Sequence, residues 1–248
     1  MPQSVVKSVE SWPLLNEATI EPFAENIGPF SGDLVSLVSS DVKDLMNVQL
    51  AAQQAGSKEE FEGQAEELVS EAPGKLSGYM TDQMELDKKD ESKTFAWPLA
   101  FVQPIDKAFV IGDDSRFAYG WNADIEPVAD GMGVTVTLFT RTAYWVKDDR
   151  DRETLIVIGR WISLSTVDPA YAATSGDYAW SMRTKVYNAT VCPSVKGDPI
   201  APDFSEGDHS EGFKMLVGLD ERDYAPVEDF RRDDDDKELE EYIARCDA

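Results

Sequence analysis

Carboxylates are the side chains with which this sequence could most readily do chemistry, because 48 of its 248 residues are Asp or Glu. One cluster, Asp148, Asp149, Asp151 and Glu153, lies in a predicted turn. Closely spaced acids are ligands that Ca²⁺ and Mg²⁺ prefer, but the EF-hand loop also needs a glycine where this stretch has Thr154. The four acids are therefore weak candidates for a divalent-cation site.

Other residue types that commonly carry chemistry are sparse. The single histidine, His209, has Ser210 beside it, and adjacent residues rarely serve as base and nucleophile to each other. Cys192 and Cys246 do not make a usual zinc site with one histidine, and their spacing does not show whether they pair. The sequence also lacks a phosphate-binding loop and a nucleophile elbow. We predict no catalytic residues and no cofactor, hence a protein that is not an enzyme.

Tryptophan is the other chemically informative residue type. Five tryptophans fall in the β-rich half of the chain: Trp97, Trp121, Trp145, Trp161 and Trp180. A row of tryptophans on an exposed face can bind sugars or a partner protein. Their alternation with small and polar neighbours favours the core of a sheet instead. The pattern leaves both interpretations open.

Two long strands must position most of these side chains. Residues 133–147 alternate with a period of two, and residues 153–165 are apolar on both sides of the strand from Leu155 to Ile158; both are rich in β-branched and aromatic residues. The charged connection between them is too short for a parallel crossover, so we predict an antiparallel hairpin. We expect its core side chains to be largely buried, namely Leu138, Tyr144, Leu155, Val157 and Trp161.

Helices are predicted on both sides of the strands. Residues 33–55 have apolar side chains at helical spacing, and a capping box at residues 57–60 begins a second helix that Pro73 and Gly74 end. A weaker helix follows to about residue 84. Near the C-terminus, an apolar stripe from Leu239 to Cys246 follows four aspartates, which predicts a short helix.

The fold class that follows is α+β and β-rich, with an antiparallel β-sandwich or barrel core, N-terminal helices and a short C-terminal helix. Prolines and bulky apolar anchors in residues 1–32 predict an extended N-terminal arm that docks through Trp12, Leu15 and Phe23, on this subunit or on a neighbouring one. We divide the rest into a helical segment with a linker, an antiparallel β domain and an acidic C-terminal segment: 33–94, 95–219 and 220–248. Besides the central hairpin, the β domain is expected to contain short strands, among them residues 115–121, followed by a turn at residues 122–124, and residues 214–219.

The net charge of −25 limits the partners of the protein. Most of this charge lies in residues 1–95 and 197–248, whereas the predicted β region is close to neutral. Such flanks repel nucleic acid and anionic membrane surfaces. The sequence also has no apolar run long enough to span a bilayer and no signal-peptide pattern. We predict a protein made in the cytoplasm, without nucleic-acid or membrane partners, whose acidic composition resembles that of salt-adapted, halophilic proteins.

Two functions from different classes fit these features. The first is a structural or assembly subunit that associates with itself or with other structural subunits, of the kind that builds a virion capsid or tail. The second is a small-molecule or glycan-binding β module, with a hydrolase as its enzymatic variant, whose site lies among the aromatic residues. A fold does not by itself decide between them.

Overall fold

The computed structural model of the chain describes residues 3–55, 58–89, 101–128, 131–166, 178–190 and 199–204. Its helices are α1 Gln3–Glu10, α2 Gly32–Ala51, α3 Lys58–Glu71 and α4 Lys75–Lys89. Its strands are β1 Gln54–Ala55, β2 Ile105–Asp106, β3 Val110–Ile111, β4 Arg116–Val128, β5 Gly131–Lys147, β6 Glu153–Thr166 and β7 Ala179–Tyr187. Helices therefore precede the main strands, as the sequence predicted.

The helices begin and end at the signals that the sequence contains. The Ser31 hydroxyl caps α2 by accepting a hydrogen bond from the Leu34 N–H at 3.4 Å. Gly74 ends α3 with a left-handed φ of 51°. The helix α4 runs beyond residue 84 into the predicted linker, because buried Asp87 accepts a hydrogen bond from Gln83 and extends the buried side of the helix by one turn.

Four strands and a short edge piece form one antiparallel sheet. Its order is β4–β5–β6–β7, and β3 pairs with the end of β5 that β4 leaves uncovered. The β5–β6 hairpin is the one predicted from the sequence, with Leu138 opposite Ile162. A separate two-stranded parallel pair joins β1 to β2.

The strand β4 is longer than the sequence indicated. Residues 122–124 were expected to be a turn, but β4 continues through them to Val128. The strand persists because β5 supplies a partner for each of these residues. Asn122 and Asp124 lie exposed on one face while Ala123 lies on the other, so polar residues here mark the solvated side of a strand.

Both faces of the sheet carry buried apolar side chains. On one face Val136, Leu138 and Ile162 belong to a cluster that includes the buried stripe of α2. On the other face Phe139 and Val157 pack with Val9 of α1. The described strands do not close on themselves. The predicted α+β class with a mostly antiparallel sheet is therefore confirmed at that level.

The predicted burial within the hairpin is also observed. Leu138, Tyr144, Leu155 and Val157 are each at most 2% exposed, and Trp161 is partly buried. The described tryptophans of the sheet are all half-buried: Trp121 and Trp180 pack against the α2 side, and Trp145 and Trp161 against the α1 side. They therefore contribute to the core while keeping part of each ring accessible.

The N-terminal arm wraps around one edge of the sheet. Residues 3–10 are helical and not extended as predicted, because this stretch contains no proline and places Val9 against the sheet. Residues 11–31 then cross the edge at β4 and reach the α2 side. The expected anchors Trp12, Leu15 and Phe23 all pack against the core clusters of this same chain. The division into four segments remains a prediction.

Several sequence predictions fall outside the described residues. They are the C-terminal helix with its four preceding aspartates, the short strand at residues 214–219, His209, both cysteines and Trp97.

Candidate functional site

Among the residues that the structure describes, the outer edge of β4 has no strand paired with it beyond its first residues. β4 is paired along its whole length with β5 on one side. On the other side the arm pairs with it only at its start, through a bridge between Leu14 and Arg116. The Leu15 N–H donates to the Ser115 carbonyl at 2.8 Å, and the Phe117 N–H donates to the Pro13 carbonyl at 3.0 Å.

The position of the Phe117 bond shows which backbone groups point outward. In an antiparallel pair, alternate residues direct their N–H and C=O groups to opposite sides of the strand. Since Phe117 points away from β5, the same holds for Tyr119, Trp121, Ala123 and Ile125. No strand in the described part of the chain pairs with β4 on this side beyond its first residues.

An open cleft of about 960 Å³ lies between this strand edge and the arm. We call it the edge cleft; its aromatic wall consists of Trp12, Phe23, Phe117, Tyr119 and Trp121. Two hydrogen bonds hold the arm beside it: the Trp121 Nε1–H donates to the Glu21 carbonyl at 2.8 Å, and the Glu21 N–H donates to the Tyr119 hydroxyl at 3.2 Å. The arm therefore fixes the two central aromatic residues.

Arg141 forms the charged part of the edge cleft. It lies on β5 opposite Ala118 and is only 3% exposed. Its guanidinium carbon is 5.0 Å from the ring centroid of Trp12 and 5.6 Å from that of Phe139. Because a cation is attracted to an aromatic face, Arg141 holds the Trp12 ring against the sheet. The cleft therefore combines Tyr119 and Trp121 from the α2 side of the sheet with Trp12 and a buried positive charge from the α1 side.

Exposed apolar side chains are found close to the same edge. Ile125 on β4 is 39% exposed, and Met132, opposite Pro127 in the β4–β5 hairpin, is 56% exposed. Val110 of β3, on the same side of β5, is 65% exposed. We call the apolar end formed by Ile125, Pro127 and Met132 the hairpin tip. The large apolar side chains that the sheet exposes therefore concentrate along one edge.

A second cleft of about 790 Å³ lies on the α2 side of the arm. Its lining is mostly polar and includes Asn16, Lys43, Asn47, Gln53 and Asp113. It is separated from the edge cleft by arm residues such as Ala18 and Thr19, which line both. The arm therefore separates the two clefts, with one on each side of it.

The acidic turn predicted as a cation site is organised by arginine. Asp148 accepts hydrogen bonds from the Arg152 side chain at 2.6 and 2.7 Å and from the backbone N–H groups of Arg150 and Arg152. Desolvation acts to raise the pKa of Asp148, but these bonds together lower the pKa below its ordinary value. Glu153 pairs with Lys147 at 3.5 Å.

The other two candidates do not complete a ligand set with these acids. Asp149 and Asp151 are exposed, and Asp151 has a left-handed φ of 57°. Among the residues that the structure describes, no three His, Cys, Asp or Glu side chains are grouped so as to hold a metal ion. Cation binding at this turn stays a prediction.

A partly buried polar contact that the sequence did not indicate joins α2 to the residue before β7. The Tyr178 hydroxyl donates to Asp41 Oδ2 at 2.5 Å, across 137 residues of chain. Burial raises the pKa of Asp41, the hydrogen bond from Tyr178 opposes that rise, and Asp44 adds to it. Burial also raises the pKa of Tyr178, and Asp41 adds to that rise. The pair ties the main helix to the far edge of the sheet.

We expect Tyr178→Phe to destabilise the fold by about 1–3 kcal/mol at pH 7, the range for a lost hydrogen bond to a charged, partly buried group. The pKa of Asp41 is higher in the folded protein than its ordinary value of 3.8. Its protonation therefore stabilises the fold fully at pH values below 3.8, and this contribution is lost as the pH rises through the pKa of the folded protein. Removing the Tyr178 hydroxyl raises the folded pKa of Asp41 further. The loss of stability in Tyr178→Phe should therefore shrink as the pH falls toward 3.8. Urea unfolding at several pH values measures it.

Asp41→Asn is the matched variant for this test. Its amide oxygen can still accept the Tyr178 hydrogen bond, but it carries no proton that titrates. A loss in Tyr178→Phe that is equal at acid and neutral pH would contradict the proposed role of the Asp41 charge.

Comparisons of the chain with protein-family models, curated proteins and solved structures give no match. Within the described ranges, no helix combines the length and apolar character that crossing a membrane requires. The geometry of the β4 edge is therefore the observation from which function has to be argued.

Proposed function

We propose that this protein is a structural or assembly subunit that associates with further copies of itself or with other structural subunits. The observation that carries the proposal is the outer edge of β4. Along most of this edge no described strand pairs with β4, and an aromatic cleft and exposed apolar side chains lie beside it. An open strand edge is a template for another strand. The more specific proposal is that the assembly is a virion capsid or tail.

The edge also carries features that restrain indiscriminate pairing. Asp124 and Glu126 lie on one face of β4, and Pro127 removes one N–H near its end. Charged residues and proline are common protections of edge strands. A strand protected in this way pairs with a complementary partner better than with any exposed β-segment, as a specific assembly contact requires.

For the fold, we further propose a β-sandwich or barrel. It requires either a second sheet over the one described or closure of the sheet through a neighbouring copy. The second route would use the same β4 edge, so it is compatible with the assembly role.

Salt should promote this association. With a net charge of −25, copies repel one another at low ionic strength. The Debye length falls from about 30 Å at 0.01 M salt to about 3 Å at 1 M, so added NaCl screens the repulsion. We expect both the melting temperature and the mass in light scattering to rise between about 0.05 M and about 2 M NaCl. This behaviour is also what the proposed adaptation to concentrated salt implies.

The starting value for the mass is 27.5 kDa for one chain. A mass that stays there at every salt concentration would contradict the assembly role. A melting temperature that rises while the mass stays constant would retain the electrostatic argument and reject only association.

The edge cleft also favours the second candidate, a small-molecule or glycan-binding module. Trp12, Tyr119 and Trp121 provide faces on which a sugar or a planar ligand can lie. Arg141, beside Trp12 on the α1 side of the cleft, would favour a ligand with a negative charge. A constant monomeric mass in the salt experiment would place this candidate ahead, with a hydrolase as its enzymatic form.

A further inference from the structure

We infer that the β4 strands of two copies pair antiparallel about a two-fold axis at Ala123, and that the hairpin tip of each copy enters the edge cleft of the other. The inference rests on the proposed assembly function and names its partner, a second copy of this chain. The two sheets would then continue into one another through an interface in which both copies use the same surface.

The direction of the backbone groups limits the possible registers. In β4 the outward N–H and C=O groups belong to Tyr119, Trp121, Ala123 and Ile125, because Phe117 bonds outward to Pro13. Two copies can exchange hydrogen bonds only where an odd-numbered residue of one lies opposite an odd-numbered residue of the other. An axis at Ala123 satisfies this condition: Ala123 lies opposite its own copy, and Trp121 lies opposite Ile125.

The acidic residues exclude registers on one side of this axis. With the axis at Ala123, Asp124 lies opposite Asn122 and Glu126 lies opposite Gly120. Asn122 already donates a hydrogen bond to Asp124 within one chain at 2.7 Å, so its amide is suited to a carboxylate neighbour. An axis one residue later would set Asp124 against its own copy, and like charges directly opposite destabilise a strand pair.

The arm excludes registers on the other side. An axis one residue earlier would place Pro127 of one copy opposite Phe117 of the other. The Phe117 N–H is already bonded to Pro13 at 3.0 Å, so the arm occupies that position. With the axis at Ala123, Pro127 lies opposite Tyr119, which is the first position that the arm leaves open. Charge and steric limits therefore select the same register from opposite directions.

The side chains at this register are complementary. Ile125, 39% exposed in one chain, would lie beside Trp121 of the other. Pro127 would lie beside Tyr119, with Met132 next to it across the hairpin. The aromatic residues Tyr119 and Trp121 line a cleft of about 960 Å³, which can admit an apolar tip of this kind. The interface thus covers exposed apolar side chains with the aromatic wall of the other copy.

Cysteine cross-linking tests the register directly. In a background with Cys192→Ser and Cys246→Ser, Ala123→Cys would place two thiols opposite each other across the axis. Directly opposed residues in a hydrogen-bonded pair have Cα atoms about 5.5 Å apart, within the range of about 4.4–6.8 Å for a disulfide. At about 2 M NaCl, where repulsion is screened, we expect mild oxidation to give mainly covalent dimer.

Asn122→Cys and Asp124→Cys are the matched controls. At the inferred register each of these thiols is displaced from its copy by two residues, and diagonal neighbours lie about 7–8 Å apart. We expect several-fold less covalent dimer from either control. A dimer yield that is highest for Asn122→Cys or Asp124→Cys, or equal in all three variants, would overturn the register.

A second measurement does not depend on cysteine chemistry. Ile125→Lys adds a charge at the hairpin tip. Ile125 is 39% exposed and its side chain lies against Gly28 of the arm, so the change loses part of that packing and we expect only a small fall in the melting temperature. Its mass at about 2 M NaCl should fall from dimer to monomer. If the parent associates in salt and Ile125→Lys associates equally, the inference fails while the assembly function stands. If the parent stays monomeric and Ala123→Cys forms no dimer, both fail.

Discussion

Replacing Arg160 with alanine should destabilise the protein by about 2–5 kcal/mol, because two buried backbone carbonyls would lose their hydrogen-bond donor. Arg160 lies on β6 and is 1% exposed. Its Nε–H donates to the Phe101 carbonyl at 3.0 Å, and its Nη2–H donates to the Gln103 carbonyl at 2.8 Å. The side chain therefore holds the segment before β2 against the sheet.

The charge of Arg160 reduces this expected loss but does not cancel it. Burial lowers the pKa of Arg160 to about 10, while Tyr144 acts in the opposite direction, so the guanidinium remains charged at neutral pH. Keeping a buried charge costs free energy, and alanine would remove that cost. The two carbonyls would nevertheless stay buried without their partner, which is the larger effect.

Urea unfolding of Arg160→Ala, Arg160→Met and Arg150→Ala would test this role. Methionine fills much of the arginine volume, so it should recover the packing part of the loss but not the hydrogen bonds. Arg150 is exposed in the β5–β6 turn, and its replacement should change stability by less than about 0.5 kcal/mol. A similarly small effect in Arg160→Ala would show that the Phe101–Gln103 segment is held by other contacts.

Leu138→Ala should cost about 2–5 kcal/mol, the range for truncating a fully buried leucine. Leu138 is 0% exposed and lies at the centre of the sheet, opposite Trp121 on one side and Ile162 on the other. Rigid strands on both sides limit how far neighbouring side chains can move into the cavity. We therefore expect a loss in the upper half of that range.

Met132→Ala is the control for this measurement, since Met132 lies on the same strand but is 56% exposed. Its replacement should change the free energy of unfolding by less than about 0.5 kcal/mol in the monomer. A cost below about 1 kcal/mol for Leu138→Ala would mean that the site collapses around the smaller residue, contrary to a sheet held between α1 and α2.

The two variants also separate stability from association. Leu138 and Arg160 lie inside the sheet and are fully buried, whereas the inferred interface uses the exposed β4 edge. Their loss should lower the melting temperature at every salt concentration without changing the register of pairing. Ile125→Lys should instead abolish the association at high salt, with a much smaller effect on the melting temperature.

Local patterns in the sequence were sufficient for the main elements. The β5–β6 hairpin was predictable because alternation with a period of two reports which side chains of a strand can be buried together. The apolar stripe of α2 was predictable because residues three and four apart share a helix face. In both cases the direction of each side chain follows from the positions of residues close to it in sequence.

The β4 edge was only partly predictable. The sequence suggested a strand at residues 115–121, but Asn122 and Asp124 resembled a turn when considered alone. Asn122 and Asp124 continue the alternation of the strand, and this signal could have extended the predicted strand through them. The strand outweighs the turn preference because β5 offers hydrogen-bond partners along the whole of β4. These partners are distant in sequence, so a local window does not include them.

The sequence by itself determined the helices α2 and α3, the central hairpin and its buried residues, and the excess of acidic residues, because composition and periodicity act locally. Only the tertiary structure decided that Arg160 is buried and donates to two backbone carbonyls, that Tyr178 meets Asp41, and that the backbone of the arm bonds to that of β4 only as far as Phe117. These features depend on backbone and side-chain groups brought together from distant parts of the chain. The free energy of such contacts depends on burial and on partner geometry, which residue type and spacing do not encode.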